Sequence, residues 1–425
     1  MTIESEGREE DPKDPRLLSR RGLFYGAAAG SLLVGAAAGF GGGFAARSAA
    51  EPVDVVDLDT SYPFYGTGEQ AGIRTPQQRY SVYMTFDIAA GAGATDLQVL
   101  FARWSGAIAQ MMAGKPIGAV QPDGEYAVAN DTGEAYELGP AGLTVTLGLG
   151  PDVFGRRFGL APQKPVHLAP LPALPSDNLD PALTGGDLSL QACAEDPQVA
   201  YHAIHDLARM AKGTAAVRWT VLGFGRASAG KGQSTPRNLQ GFKDGTRNLK
   251  EDADYEQFVR VTDDAAWTRG GAYQVVRKIQ MRIENWDADR VSDQQHVIGR
   301  TKQAGAPLTG VAEFDAPDFA AQDASGNPVI DPTAHIALAA HENNGGLKIL
   351  RRGYNYTDGL NHYGQLDAGL LFLSYQNDPA AFVALQTKLG SSDLLNEYIS
   401  HIGSALFFVP PAPPPGRYLA YQLFE

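Results

Sequence analysis

The sequence predicts an α+β protein built from two similar units, each an antiparallel sheet packed with helices. Two observations carry this prediction. Segments of strand-like alternation are interleaved with helical periodicity along most of the chain. The same strand-to-helix junction also occurs in both halves, as Asp196-Pro197 and as Asp378-Pro379. Asp is a good N-cap and Pro suits the first helical turn, so each pair marks a strand ending and a helix beginning. Two copies are too few for a solenoid.

In chain order, residues 80–86 alternate as a strand and residues 94–112 keep a helical period. Residues 143–149 and 188–192 give two further strands, and the second runs through Asp196-Pro197 into a helix over 198–210. In the second half, residues 273–283 and 368–373 read as strands. The latter leads through Asp378-Pro379 into a helix over 380–389, and residues 406–409 close the sheet. The Gly/Pro-rich stretches 163–186 and 410–416 are expected to be surface loops. The chain divides into a targeting segment (1–50), an N-terminal unit (51–230) and a C-terminal unit (231–425) that includes the loop around Asp244.

With 425 residues, 44% hydrophobic and 20% charged, the chain can bury a large core. The net charge is −13, and the first fifty residues carry as many basic as acidic side chains, so the acidity belongs to the rest. That argues against nucleic acid or an anionic membrane as partner and suits a neutral or cationic small substrate, or a basic partner patch. From the single cysteine, Cys193, no disulfide framework, cysteine-built zinc cluster or iron–sulfur site can be made within one chain. It reads as a small buried apolar residue.

The N-terminus reads as an address. Ser19-Arg20-Arg21-Gly22-Leu23-Phe24 precedes a Gly/Ala-rich apolar run to about Ala46, followed by Ser48-Ala49-Ala50. Paired arginines before a weakly hydrophobic core mark twin-arginine export, which places the mature chain in the periplasm, cell envelope or medium. The run is long enough for an uncleaved anchor. Glycine and alanine contribute little transfer energy, however, so export with cleavage near Ala50 is the expectation. Twin-arginine export carries folded proteins, often because a cofactor is inserted first.

The most informative stretch is Gly241-Phe242-Lys243-Asp244-Gly245-Thr246-Arg247-Asn248, an acid set between glycines and basic residues. An Asp-Gly turn alone is common. Downstream lie His335 in Thr-Ala-His-Ile and the pair Arg351-Arg352. Together these resemble the dye-decolorizing peroxidases, marked by a Gly-x-x-Asp-Gly motif, and in particular their exported, iron-transport-associated (deferrochelatase-type) branch. The resemblance runs from about Tyr80 to Val409.

The resemblance implies two ferredoxin-like domains with haem b in the C-terminal one, hydrogen peroxide as oxidant, and phenols or dyes giving up electrons one at a time. It makes His335 the proximal iron ligand, Asp244 the distal acid and Arg351 the distal guanidinium. Arg300, in Gly299-Arg300-Thr301-Lys302, is expected to meet a haem propionate, since Arg reads carboxylates in a bidentate way. Glu397 is expected to accept the other N–H of the proximal histidine. A carboxylic acid, unlike imidazole, carries its proton only in acidic solution, so an aspartate-based enzyme is expected to work there.

Alternatives stay open at several positions. Where the family continues with Arg and Asn-Pro-Arg, this chain has Ala337 and Ala340-His341-Glu342, so His341 is a rival ligand. Arg352 is the rival within its pair. Tyr398 is the candidate relay for electrons from bulky dyes. His202-x-x-His205 offers two imidazoles on one helix face but no evident third ligand, and reads as a plain helix face. The competing function is a haem-binding, iron-uptake component whose peroxidase activity is incidental, beside an iron-uptake partner rather than a copper oxidase.

Overall fold

The computed structural model describes residues 56–225, 235–262 and 265–425, and the predicted export segment lies outside them. The first half comprises β1 (Tyr80–Ile88), α1 (Ala94–Met112), β2 (Thr144–Leu149), β3 (Leu188–Ala194), α2 (Pro197–Ala211) and β4 (Ala215–Phe224). The second comprises α3 (Asp252–Phe258), β5 (Ala272–Met281), α4 (Ile283–Ala288), α5 (Val291–Ile298), α6 (His335–Ala339), β6 (Leu350–Arg351), β7 (Tyr354–Leu360), β8 (Leu366–Gln376), α7 (Ala380–Ser392) and β9 (Ile399–Val409).

The junctions form as their chemistry dictates. Asp196 caps α2 by accepting the N–H groups of Gln198 and Val199 at 2.7 and 3.3 Å. Asp378 accepts the Ala380 N–H at 2.8 Å where α7 begins. Along α1, Leu97, Leu100, Phe101, Trp104, Ile108 and Met111 recur at helical spacing and are all buried.

Strand order within the first half is β4-β1-β3-β2, and within the second it is β9-β5-β8-β7. Both are the order of a ferredoxin-like βαββαβ unit. The expectation of two separate sheets is corrected: β2 pairs with β9 through Leu149 and Phe408, and β4 pairs with β7 through Gly223–Tyr356 and Phe224–Asn355. With β5 paired to β8, the sheet closes on itself and β6 remains at its margin. Two open sheets would each leave two edge strands with unpaired backbone groups, and joining the edges satisfies them.

Side chains from both halves fill the interior of the closed sheet. Tyr83, Trp219, Val276, Tyr354, Tyr356, Leu373 and Phe407 form one buried cluster. A polar chain threads the same closed sheet: Tyr83 donates to Gln274 at 2.9 Å, Gln274 donates to Tyr375 Oη at 2.7 Å, and Tyr375 donates to Gln191 at 2.6 Å. Cys193 is fully buried there, as its sequence reading expects.

The first Gly/Pro-rich stretch, 163–186, is a largely exposed loop as expected, whereas 410–413 is mostly buried, and both are tied to the sheet or its surroundings by backbone hydrogen bonds. Residues 177–185 lie along β9, where Asn178, Asp180 and Gly185 donate N–H groups to His401, Ile402 and Ser404. They cover β9 where it shares only one residue pair with β2. Ala412 and Pro413 are buried and hydrogen-bonded to Gly68 and Gly66. Unpaired backbone beside a sheet needs partners, and these segments supply them.

Candidate active site

The site is a cavity of about 550 Å³ lined entirely by residues between Asn238 and His401. Its apolar walls include Ile279 and Met281 of β5, Phe372 of β8, and Phe382, Leu385 and Leu389 of α7. A mostly apolar cavity with a few convergent polar groups is the ordinary form of a small-molecule or cofactor site.

His335 is the first residue of α6. Asp331 sets up that start by accepting the Thr333 N–H at 2.7 Å and its hydroxyl at 2.5 Å. The His335 Nδ1 lies 2.7 Å from Oδ2 of Asp393, a buried residue between α7 and the turn Leu394–Glu397. A carboxylate only accepts, so Nδ1 carries the proton and Nε2 is left with its lone pair. Burial lowers the proton affinity of His335, but the charge and hydrogen bond of Asp393, with Asp244 adding and Arg351 opposing, raise it above the ordinary histidine value.

Asp393 therefore holds the place expected for Glu397, which is a correction. Glu397 is exposed, and its backbone carbonyl accepts from Arg282 at 2.9 Å. The turn Asp393-Leu394-Leu395-Asn396 directs the first acid inward: Asp393 Oδ1 caps it by accepting the Leu395 N–H at 2.9 Å.

The loop carrying Asp244 is fixed by its glycines and by Phe242. Gly241 and Gly245 have φ of 83° and 120°, conformations that favour glycine. Phe242 is buried edge-on against Trp286 with ring centroids 5.8 Å apart. Arg351 Nη1 donates to Asp244 Oδ1 at 2.8 Å, so the expected acid–guanidinium pair exists and opens on the cavity. Asn248, the last residue of the octapeptide, clamps the pair: its side chain accepts from the Arg351 N–H at 2.8 Å and donates to the Arg351 carbonyl at 2.6 Å. Arg352 does not line this cavity. It is buried and donates to the Thr75 carbonyl at 2.6 Å and to Gln78.

Arg300 lines the cavity with Nη1 donating to the carbonyls of Gly305 and Glu313 at 2.6 and 2.9 Å. Among the described residues no carboxylate pairs with it. Burial and the charge of Arg247 lower its proton affinity; Glu313 opposes, and Arg351 pushes the same way as Arg247. A buried guanidinium near two others calls for an anion. Glu313 itself was not foreseen: it ties Thr235, Lys243 and Thr246 together across the loop.

His341 also lines the cavity, but its Nδ1 is 3.4 Å from Glu342, which is itself paired with Arg247. Tyr398 is buried, donates to Asp289, and packs edge-on against Trp286 at 4.9 Å. Its phenol is pushed up to about 12, first by the hydrogen bond to Asp289 and then by burial.

These residues fit a haem: one imidazole oriented by a buried carboxylate, apolar walls, and an arginine without an anion. The fold and this site define a haem-dependent peroxidase. The chain belongs to the Dyp-type peroxidase family, whose N-terminal profile matches residues 70–225 and whose C-terminal profile matches residues 235–413. It is 39% identical over 424 residues to the deferrochelatase of Escherichia coli strain UTI89, covering 97% of this chain and 96% of that one. With the deferrochelatase of strain K12 it shares 41% over 362 residues, 82% and 84% of the two chains. The solved DtpA from Streptomyces lividans, in an oxyferrous complex, superposes with a TM-score of 0.81 at 40% identity, covering 88% of this chain and all of that one. A Dyp-type peroxidase from Cellulomonas bogoriensis gives 0.78 at 38%, covering 86% and 99%.

Proposed function

We propose that this chain reduces hydrogen peroxide and oxidises phenolic or dye-like aromatics in one-electron steps, with His335 as proximal ligand and Asp244 and Arg351 as the distal pair. The observation that carries it is that the His335–Asp393 couple and the Asp244–Arg351 pair open on one cavity. Bound haem b supplies the redox chemistry. The Asp393 carboxylate keeps the His335 ring oriented and basic at Nε2. Asp244 moves a proton from the inner to the departing peroxide oxygen, and Arg351 stabilises the negative charge developing there. Arg300 holds a propionate. Acidic solution is the expected working range.

Bulky reductants do not fit the cavity, so their electrons need a route. Tyr398, Trp286 and Phe242 pack edge-on in series toward the cavity, and Asp289 is placed to take the phenol proton of Tyr398. The paired arginines Arg20-Arg21 and the small-residue exit at Ala50 favour twin-arginine export to the periplasm or cell envelope.

A second reading is favoured by the relatives named deferrochelatase at about 40% identity. In it the same cavity takes haem as substrate for iron release, and an iron-uptake partner replaces a copper oxidase. Incubation with haem, with protoporphyrin fluorescence followed beside dye oxidation, separates the two.

The deciding test is the absorption spectrum of the purified protein beside His335→Ala and Asp244→Asn, before and after one equivalent of peroxide. The reading expects a Soret band that His335→Ala loses or displaces. It expects Asp244→Asn to keep the band but react with peroxide about 10²–10⁴-fold more slowly. A band untouched by His335→Ala moves the ligand to His341, and an unchanged rate removes Asp244 from the chemistry.

A further inference from the structure

The segment 113–140 between α1 and β2 is a long connection without helix or strand. Long connections of this kind are uncommon unless something ties them down or gives them a task. This one folds onto α2 around a buried trio: Asp131 of the segment, and His202 and Asp206 at i, i+4 on α2. They are 1%, 5% and 0% exposed.

The trio is not a hydrogen-bonded cluster. His202 Nδ1 lies 2.9 Å from Glu134 Oε2, so a carboxylate fixes the proton on that nitrogen. His202 Nε2 then faces Asp131 Oδ2 and Asp206 Oδ2, each 3.6 Å away and beyond hydrogen-bonding distance. A side chain more than nine-tenths buried thus aims a ring nitrogen that makes no hydrogen bond at two carboxylate oxygens. Each oxygen already accepts one backbone N–H, from Ile117 at 2.8 Å and from Thr132 at 3.3 Å, and retains a further lone pair. Three lone pairs converging in a buried place repel one another unless a second imidazole proton or a cation lies between them, and 3.6 Å is too long for an N–H···O bond, which favours the cation. Arg209, 3.0 Å from Asp206 Oδ1, offsets only one of the two Asp charges and lies on the far oxygen.

The two nitrogen–oxygen separations of 3.6 Å suit an ion, and the three ligand atoms all lie within 4.8 Å of one another. Ligand bonds of about 2.0–2.2 Å in a tetrahedral site place ligand atoms roughly 3.3–3.6 Å apart. The imidazole excludes the all-oxygen, six-to-eight-ligand habit of calcium. We infer that Asp131, His202 and Asp206 form a site for one first-row divalent cation, of the zinc type, which clamps segment 113–140 onto α2. The Glu134–His202 contact is the carboxylate–imidazole–metal arrangement that orients a ligating ring. Three protein ligands leave the fourth tetrahedral position to a water, and their burial together with their place between segment 113–140 and α2 favours a clamping role. His205 reaches Glu134 at 2.5 Å and is no ligand, so the His202-x-x-His205 pair is not the site.

The test uses untagged, haem-loaded full chain stripped with chelator. ZnCl₂ is titrated by calorimetry, with bound zinc counted by elemental analysis. The expected result is one equivalent bound at micromolar Kd or tighter and a thermal midpoint that rises with zinc. Asp131→Asn and His202→Gln should each weaken binding more than 100-fold while leaving the Soret band and peroxide turnover unchanged; His205→Gln should bind as wild type. No zinc, manganese or cobalt bound by the stripped wild type overturns the inference without reference to any variant. So does zinc lost in His205→Gln but kept in Asp131→Asn.

Discussion

Neighbouring residues in extended backbone point to opposite sides, so Arg351 and Arg352 meet different surroundings although their chemistry is the same. Arg351 turns to Asp244 and the cavity, while Arg352 turns inward and bonds the chain at Thr75, Pro76 and Gln78. Arg351→Leu should therefore keep haem and fold but slow the reaction with peroxide by about 10²-fold or more, read by stopped-flow absorbance. Arg352→Leu should leave that rate nearly intact and cost on the order of 2–4 kcal/mol of stability, because buried acceptors lose their donor. The reverse pattern would exchange their roles. The octapeptide ending in Asn248, His335 and the arginine pair were readable because each is a local motif. Asp393 was not: two acids four residues apart bracket one turn, and which faces inward depends on where α7 stops. The one available signal was that an Asp heading a turn is a natural cap. Glu313 and Asp131 sit in irregular chain, where no period points at them.

At the scale of elements, β9 carries His401 from the cavity wall into contact with Gln386 of α7. Burial, then the charge of Arg277, hold this imidazole down at about 4, against the opposing pull of Asp177 and Asp393. An unfolded histidine titrates near ~6.5. Between those values the unfolded chain binds a proton that the folded chain refuses. The contribution of His401 is thus fully present above about pH 6.5 and is lost progressively toward pH 4, by at most about 3 kcal/mol. Urea unfolding of the haem-loaded protein at pH 7 and pH 4.5, beside His401→Gln, checks this: the variant should lose less stability on acidification. Equal losses would assign the acid sensitivity to other groups. The strands that escaped the sequence reading share a cause. In β4 Arg218, Trp219, Thr220 and Val221 alternate exposed and buried, but the exposed apolar residues Val217 and Leu222 blur the pattern. In β7 the stretch Thr357-Asp358-Gly359 reads as a turn and is an exposed edge beyond the buried Tyr354 and Tyr356. The helices α1, α2 and α7 were legible because each is long, periodic or capped, whereas α3 to α6 span eight residues or fewer.

Across the whole molecule, the internal duplication was visible in the Asp-Pro junctions, but closure of the two sheets into one was not, since pairing between distant strands leaves no local trace. Closure has a consequence for the halves. Apart, each unit would expose β2 and β4, or β7 and β9, as edges, and would open a shared interior in which Tyr83 of one half bonds Gln274 of the other and Tyr375 bonds Gln191. Unpaired edges template aggregation, and unsatisfied buried polar groups cost about 1–3 kcal/mol each. Residues 51–230 and 231–425 expressed separately should therefore be insoluble or molten, although the cavity is lined by the second segment alone. Co-expressed, they should associate, recover a Soret band and unfold in one transition. The discriminating sample is 231–425 by itself: if it is soluble, binds haem and reacts with peroxide like the full chain, closure does not hold the cavity together and the first half serves another purpose. If only the pair does so, the sheet that joins the halves is what makes the cavity rigid enough to hold Asp244, Arg351 and His335 in register.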